Sequence, residues 1–329
     1  MTGLPSQARH PRWSLRGVAD AALHVAMIGA TGVCLLTLAA FAGGQHGALE
    51  ITTHFRPHYA IILLACSLVW FAVRRPRFAS VLATFALINI AVIAPRFAPR
   101  PTPSANDPRV KLLLCNVHTA NRNHLALLDL IDREQPDVIA LLEVNARWLD
   151  ALAPLAARYP HAVRAARSDN FGIALFSRLP LDDARTVFLG PSEVPSIRAS
   201  ILLGGRPVRL LATHPIPPGT AERVLLRDQQ LAEIARWCVD SPAPALVLGD
   251  LNCTPWSPAF RRLLREGLLA DTGTGLHPTW PVSPWWLRIP LDHCLVSRPL
   301  RIADHRVGPD IGSDHFPLVV SLSMPAAAP

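Results

Sequence analysis

Eight polar side chains stand at or just past the ends of short apolar runs: Asn116, Glu143, His214, Asp250, Asn252, Asp292, Asp314 and His315. They are carboxylates, amides and imidazoles. Residues 109–323 hold no Cys-x-x-Cys and no His-x-x-x-His beside them. Oxygen-rich groups of this kind suit Mg²⁺, Mn²⁺ or Ca²⁺ rather than a thiolate zinc site. Amide donors and His suit a phosphate whose charge grows in the transition state. Each residue also has a plainer reading. Asp250 and Asn252 could be turn residues, and Glu143 a carboxylate favoured by the dipole of the next helix. His214 before Pro215, and His315, could be structural, and His293 reads as a core or rim residue. Loop polarity accounts for Asn121 and Asn170 as well as substrate contact does.

The elements that would carry these residues alternate. Apolar strand-like runs at 110–115, 138–142 and 245–248 end at Asn116, Glu143 and Gly249-Asp250, the run at 172–176 ends at Ser177-Arg178, and runs at 291–296 and 318–323 follow. Leu-rich or amphipathic helical spacing covers 125–131 and 146–155. It recurs at Leu231, Ile234, Ala235 and Cys238, with Thr220 as an N-cap. Gly204-Gly205 between 199–203 and 208–213 signals a hairpin. This pattern predicts an α/β fold of mixed sheets packed face to face with helices outside. Ligands of open sheets gather where strand ends converge.

The chain's charge sits elsewhere. Of 329 residues, 32 are basic and 24 acidic, a net +8, and half are hydrophobic. That composition excludes a disordered chain, and six Cys exclude a disulfide-dense scaffold. Residues 1–108 hold nine Arg against Asp20, Glu50 and Asp107, so six of the eight excess charges lie there. Uncharged runs at about 21–42, 57–73 and 78–95 predict an all-α membrane region, residues 1–97, with three transmembrane helices. Arg9, Arg12, Arg16 and then Arg74, Arg75 and Arg77 place the N-terminus and the second loop in the cytoplasm. The catalytic domain would then be periplasmic or extracytoplasmic, carried by a multi-pass protein of the inner cell membrane. Ala40-Phe41-Ala42 also resembles a signal-peptidase site, and the second and third runs could form a re-entrant hairpin. Pro-rich residues 98–108 read as a linker, 109–323 as the catalytic domain and 324–329 as a tail. Its near balance of charge shows no broad nucleic-acid stripe. Cys115, Cys238, Cys253 and Cys294 read as buried free thiols, with one disulfide left open.

In order, Leu113-Leu114-Cys115-Asn116-Val117, Pro136-Asp137-Val138-Ile139-Ala140-Leu141-Leu142-Glu143, Gly172-Ile173-Ala174-Leu175-Phe176-Ser177-Arg178, Ala212-Thr213-His214-Pro215, Leu248-Gly249-Asp250-Leu251-Asn252, Ile289-Pro290-Leu291-Asp292-His293 and Gly312-Ser313-Asp314-His315-Phe316-Pro317 resemble the ordered motifs of the endonuclease/exonuclease/phosphatase superfamily. With its apolar runs, the chain resembles a membrane-anchored bacterial subgroup. The resemblance implies a DNase-I-like four-layer α/β sandwich over 109–323 and a Mg²⁺- or Mn²⁺-dependent phosphodiester hydrolase. Carried over, it makes Glu143 the main metal carboxylate with Asn116 beside it, and Asp314 a second. His315 would contact phosphate, kept basic by Asp292. Asp250 would align or deprotonate the attacking water, Asn252 donate to a phosphoryl oxygen, and His214 protonate the leaving oxygen. The chain offers no Glu partner for His214 of the kind seen in the nuclease branch.

Independently of any family, phosphodiester hydrolysis needs a cation on the phosphate, an oriented water and a proton for the leaving group, and these residue types supply all three. The expected partners are a phosphate-ester substrate, either nucleic acid or a phospholipid head group, and the lipid bilayer; no protein partner is inferred. Trp280-Pro281-Val282-Ser283-Pro284-Trp285-Trp286-Leu287 motivates a phospholipid or sphingolipid phosphodiesterase as the alternative, since loop Trp suits a membrane interface or base stacking; core packing explains it equally. A non-catalytic binding or anchoring protein is the remaining alternative.

Overall fold

The computed structural model describes residues 15–44, 47–100 and 103–325. Helices α1 (Leu15–Ala39), α2 (Gly47–His54), α3 (Arg56–Ala72) and α4 (Pro76–Ile93) come first, followed by a 3-10 turn at Ala94–Phe97. Ala30, Cys34, Tyr59, Leu63, Leu82 and Ala86 join α1, α3 and α4 in a small core of their own. Outward-facing Val25, Ile28, Ile61, Phe71 and Leu87 remain exposed.

The expected three membrane-length helices become two. Among the described residues, Gly17–Ala39 and Pro76–Phe97 are long and apolar enough to cross a membrane, by length and composition. Helix α3 has 17 residues. At 1.5 Å per residue it reaches about 26 Å, short of the ~30 Å hydrocarbon core. Its first residue, Arg56, is buried and donates to Asn89 Oδ1. Helices α1 and α4 both end at the sandwich: Gly44, just past α1, lies against Pro258, and Arg96 pairs with Asp271. Helix α3 carries the chain back between them.

Twelve strands form two six-stranded sheets. The first runs β11 (Arg301–Val307), β12 (Leu318–Ser323), β1 (Arg109–Asn116), β2 (Val138–Leu142), β4 (Ile173–Ser177), β3 (His161–Ala165). The second runs β5 (Asp182–Phe188), β6 (Pro195–Leu203), β7 (Arg206–Thr213), β8 (Ala245–Asp250), β10 (Asp292–Ser297), β9 (Leu269–Asp271). Strand alternation divides the core. On β1, Leu112 and Leu114 face the second sheet and meet Leu210, Leu246 and Leu248 in one cluster. Leu113 and Cys115 face outward, under Leu127 and Ile131 of α5 (His124–Glu134) and Trp148 of α6 (Ala146–Ala151). On the other sheet, Leu211, Val247 and Leu295 pack under α7 (Ala221–Val239) and α8 (Pro258–Glu266). The layers therefore run helix, sheet, sheet, helix.

The hairpin signal is met by β6 and β7, whose turn glycines Gly204 and Gly205 have φ of 59° and 75°. Thr220 caps α7 by accepting from Arg223 N at 3.2 Å. The helix expected over 146–155 ends at Ala151 and gives way to a 3-10 turn containing Pro154, which cannot continue an α-helix. Cys115, Cys238, Cys253 and Cys294 are buried free thiols. Burial pushes the Cys238 thiol up to about 12.

Candidate active site

Parallel pairing places the functional residues. Strand β1 pairs parallel with β2, and β7 with β8, each across a helix. Their C-terminal ends carry Asn116, Glu143, His214 and Asp250. Strand β10 runs antiparallel to β8 with Asp292 opposite Asp250, and β12 runs antiparallel to β1 just after Asp314 and His315. All eight expected residues thus come to one rim.

Close backbone approach fixes the loop at β8. A Cβ on Gly249 would sit 2.1 Å from Thr213 O, so any side chain there would force apart the strands that hold His214 and Asp250. Glu143 (φ 61°) and Asn252 (φ 50°) adopt the left-handed region. Strained conformations of non-glycine residues cost about 1–3 kcal/mol each and collect at functional sites.

Asp250 and Asp292 are direct cross-strand partners, an arrangement of like charges that is unfavourable alone. His315 resolves it. Its Nδ1–H donates to Asp292 Oδ2 at 2.8 Å, and its Nε2 lies 3.6 Å from Asp250 Oδ2. Burial pulls the imidazole toward neutrality, but Asp292 and then Asp250 outweigh it, raising its pKa to about 10. Burial likewise opposes ionisation of Asp250, yet His315 and His214 bring it down to about 2. His214 Nε2 lies 3.5 Å from Asp250 Oδ2; burial disfavours its charged form, the carboxylate prevails, and its pKa is raised. Among the described residues its buried Nδ1 has no hydrogen-bond partner.

Asn116 Nδ2 bridges Glu143 Oε1 at 2.9 Å and Asp250 Oδ2 at 3.3 Å. Asn252 Nδ2 donates to Pro215 O at 2.9 Å. Asp314 Oδ2 accepts from Trp280 Nε1 at 3.1 Å. Asp250, Asp292 and His315 each offer a ligand atom, all within 4.8 Å of one another, and could hold a metal ion. Among the described residues, the buried oxygens Asp292 Oδ1 and Asp314 Oδ1 have no hydrogen-bond donor. Carboxylate oxygens left open beside an acidic, thiol-free donor set fit a hard divalent cation.

The rim opens into a cleft of about 370 Å³. Several residues in or beside it lack a sequence signal. Thr119 N donates to Glu143 Oε2 at 3.3 Å, and Phe171 packs its ring 5.5 Å from that of His214. His118 Nδ1 lies 3.7 Å from Asp314 Oδ1. Trp280 was signalled by its aromatic segment. Ile51, His54 and Phe55 reach the cleft from the helical region, where nothing in their spacing marked them. Asn121, in contrast, spends its amide on Val117 O and Ile311 O and is structural.

Paired sheets with acids, amides and imidazoles on one rim place the protein among α/β sandwiches with a phosphate-suited, oxygen-rich site. A family model described as the Endonuclease/Exonuclease/phosphatase family matches residues 113–315, more than half of the chain, and the protein belongs to that family. No curated protein sequence matches it. Solved structures share the fold. D. rerio TDP2 complexed with single strand DNA product is 15% identical, with 66% of this chain and 100% of that one covered and a TM-score of 0.56. The endonuclease/exonuclease/phosphatase from Beutenbergia cavernae DSM 12333 is 23% identical, with 67% and 72% covered and a TM-score of 0.55. The human Nocturnin catalytic domain with bound sulfate anion is 20% identical, with 70% and 98% covered and a TM-score of 0.55.

Proposed function

We propose that this protein is a membrane-anchored phosphodiester hydrolase dependent on Mg²⁺ or Mn²⁺. The observation that carries the reading is His315 held between Asp292 and Asp250 at a rim that also gathers Glu143, Asn116 and His214. Glu143, Asn116 and Asp314 would hold the cation, with Asp250 close to them through the Asn116 amide. When bound, the cation supplies Lewis acidity to the phosphate. His315, kept protonated by its two carboxylates, donates to a phosphoryl oxygen. Asp250, held charged by the two imidazoles beside it, orients the attacking water and accepts its hydrogen bond. His214, whose raised pKa favours the charged form, protonates the leaving oxygen. Asn252 keeps one amide N–H for a phosphoryl oxygen while the other is bound to Pro215 O.

Helices α1 and α4 supply the anchor in this reading. Both run toward the sandwich and the shorter α3 returns the chain between them, so the number of passes stays odd, which supports a catalytic domain on the side opposite the N-terminus, the periplasmic or extracytoplasmic one, as in a membrane-anchored bacterial subgroup. The exposed Arg74, Arg75 and Arg77 at the far end of the bundle agree with a cytoplasmic loop.

The test uses the full chain in detergent with bis(4-nitrophenyl) phosphate. Turnover should require Mg²⁺ or Mn²⁺, stop with chelator, and fall at least about 10²-fold in Glu143→Gln. Chelator-resistant turnover would overturn the metal assignment. Absence of turnover on every phosphodiester tried would favour a binding protein of the same fold. A single-stranded nucleic acid substrate is the second reading, favoured by the DNA product in the D. rerio TDP2 structure.

A further inference from the structure

Helix α2 is more than a connector between α1 and α3. Glu50 pairs with Arg227 at 2.6 Å, both buried, and Arg227 Nη1 donates to Asn252 O at 3.4 Å. Four residues further along α2, His54 Nδ1 shares a hydrogen bond with Thr254 Oγ1 at 3.1 Å, and His54 O accepts from Trp256 Nε1 at 3.2 Å. Thr254 and Trp256 belong to the loop that follows Asp250 and Asn252. The helix is therefore latched to the loop after Asp250, directly through His54 and by way of Arg227 from Glu50. Ile51, His54 and Phe55 line the cleft together with Phe171, Ile289 and Leu291.

Two further features bear on what the cleft takes. Among the described residues, no Lys or Arg lines it. A polyanion gains its affinity from cations along its backbone, and the cleft offers none beyond the imidazoles at its floor. A single phosphoester with an apolar neighbour fits better. The segment that leaves the cleft at Trp280 also carries Trp285, Trp286 and Leu287, which are 70%, 59% and 42% exposed. The Trp286 backbone lies against His58 in the first turn of α3, so this tip stands level with the domain-facing end of the apolar bundle. Trp at that level is the side chain of a membrane–water interface.

We propose that α2 is the substrate-selecting wall of the active site, and that the substrate is a bilayer lipid whose head-group phosphodiester enters between α2 and the Trp280 segment. This rests on the phosphoesterase reading above. A water oxygen forms the new bond to phosphorus, the ester P–O bond breaks, and the leaving oxygen takes up a proton. The products are a phosphate monoester and an alcohol, and no other reactant is needed. The lipid's apolar portion lies on Ile51, Phe55 and Leu291, while its chains stay in the bilayer beside Trp285 and Trp286.

The test gives the full chain, with Mg²⁺, three substrates: mixed vesicles of phosphatidylethanolamine and phosphatidylglycerol, a single-stranded oligodeoxynucleotide, and soluble bis(4-nitrophenyl) phosphate. The lipid should be cleaved and the oligonucleotide spared. Ile51→Ser should lower the ratio of lipid to soluble-probe turnover about tenfold or more, since it removes an apolar contact of the lipid without adding a charge to the cleft. The double variant Trp285→Ser, Trp286→Ser changes exposed side chains that folding does not need, and should lower the same ratio with an unchanged unfolding midpoint. Oligonucleotide cleavage as fast as lipid cleavage, a spared lipid beside a cleaved soluble probe, or variants that leave the ratio unmoved would each overturn the proposal. A chain that spares the soluble probe as well overturns the phosphoesterase reading beneath it.

Discussion

On β10, Asp292 and His293 are consecutive and face opposite sides of the sheet. Asp292 shares the side of Cys294 and Val296, and pairs with His315 at the cleft. His293 lies on the side of Leu295, stacks near the Phe260 ring, donates to Cys253 O at 2.9 Å and lies 3.6 Å from Asp271. Both are buried His–Asp pairs, but their surroundings differ. The first keeps an oxygen without a donor and faces open space. The second is closed by Arg96, which pairs with Asp271 from the end of the helical region, while Gly275 N donates to Arg96 O at 2.8 Å. His315 rises to about 10 between two carboxylates, and in the second pair it is Asp271 that His293 and Arg96 hold charged against burial. A buried Asp–His pair serves chemistry where polar atoms are left open toward a cleft, and serves docking where every partner is spent.

Substituting each histidine separates the two roles. His315→Ala should cut kcat on the soluble phosphodiester by about 10²–10⁴-fold, with a smaller effect on stability. His293→Ala should leave turnover near wild type and lower the unfolding midpoint. Next in size is the α2 latch. Arg227→Ala leaves Glu50 buried without its cation, and denaturation should show a loss of about 3–5 kcal/mol.

Asp271→Asn tests the second pair more gently and should cost about 1–3 kcal/mol. Burial opposes ionisation of Asp271, but His293 and Arg96 hold its carboxyl well below the usual carboxylate range. A depressed carboxylate stabilises the fold above its unfolded value, near ~4, and that contribution is lost as pH falls below it. Unfolding free energy measured downward from about pH 5 should therefore decline less steeply in Asp271→Asn than in wild type. At the small end, Thr220→Ala should cost about 1 kcal/mol through the lost cap of α7. Leu202→Ala, 65% exposed on β6, should stay within about 0.5 kcal/mol.

The central strands were legible because both of their faces are buried. Every residue of β2 and β8 is buried, so each reads as an apolar run ending in an acid. The strands with no such signal are β3, β5, β9 and β11, and these are the four sheet edges. Half-exposed edges such as β5, Asp-Asp-Ala-Arg-Thr-Val-Phe, mix charge with apolar residues and lose the run. At the site, the eight polar positions were visible because each follows or precedes a buried strand. The wall from α2 was not. Ile51 and Phe55 lie about 200 positions before the Asp250 loop, next to apolar runs that suggest only a membrane, and long-range packing leaves no periodic trace. The span count shrank from three to two for a related reason: an uncharged run records composition, whereas crossing also depends on the length of helix it forms.

The most direct test of the account is a double-mutant cycle on the Asp292–His315 pair, reading kcat on the soluble phosphodiester for Asp292→Asn, His315→Asn and the double variant. If Asp292 acts through His315, the double variant should be no slower than His315→Asn alone, a strongly non-additive cycle. Losses that multiply across the two substitutions would contradict the claim that the carboxylate works by holding the imidazole charged.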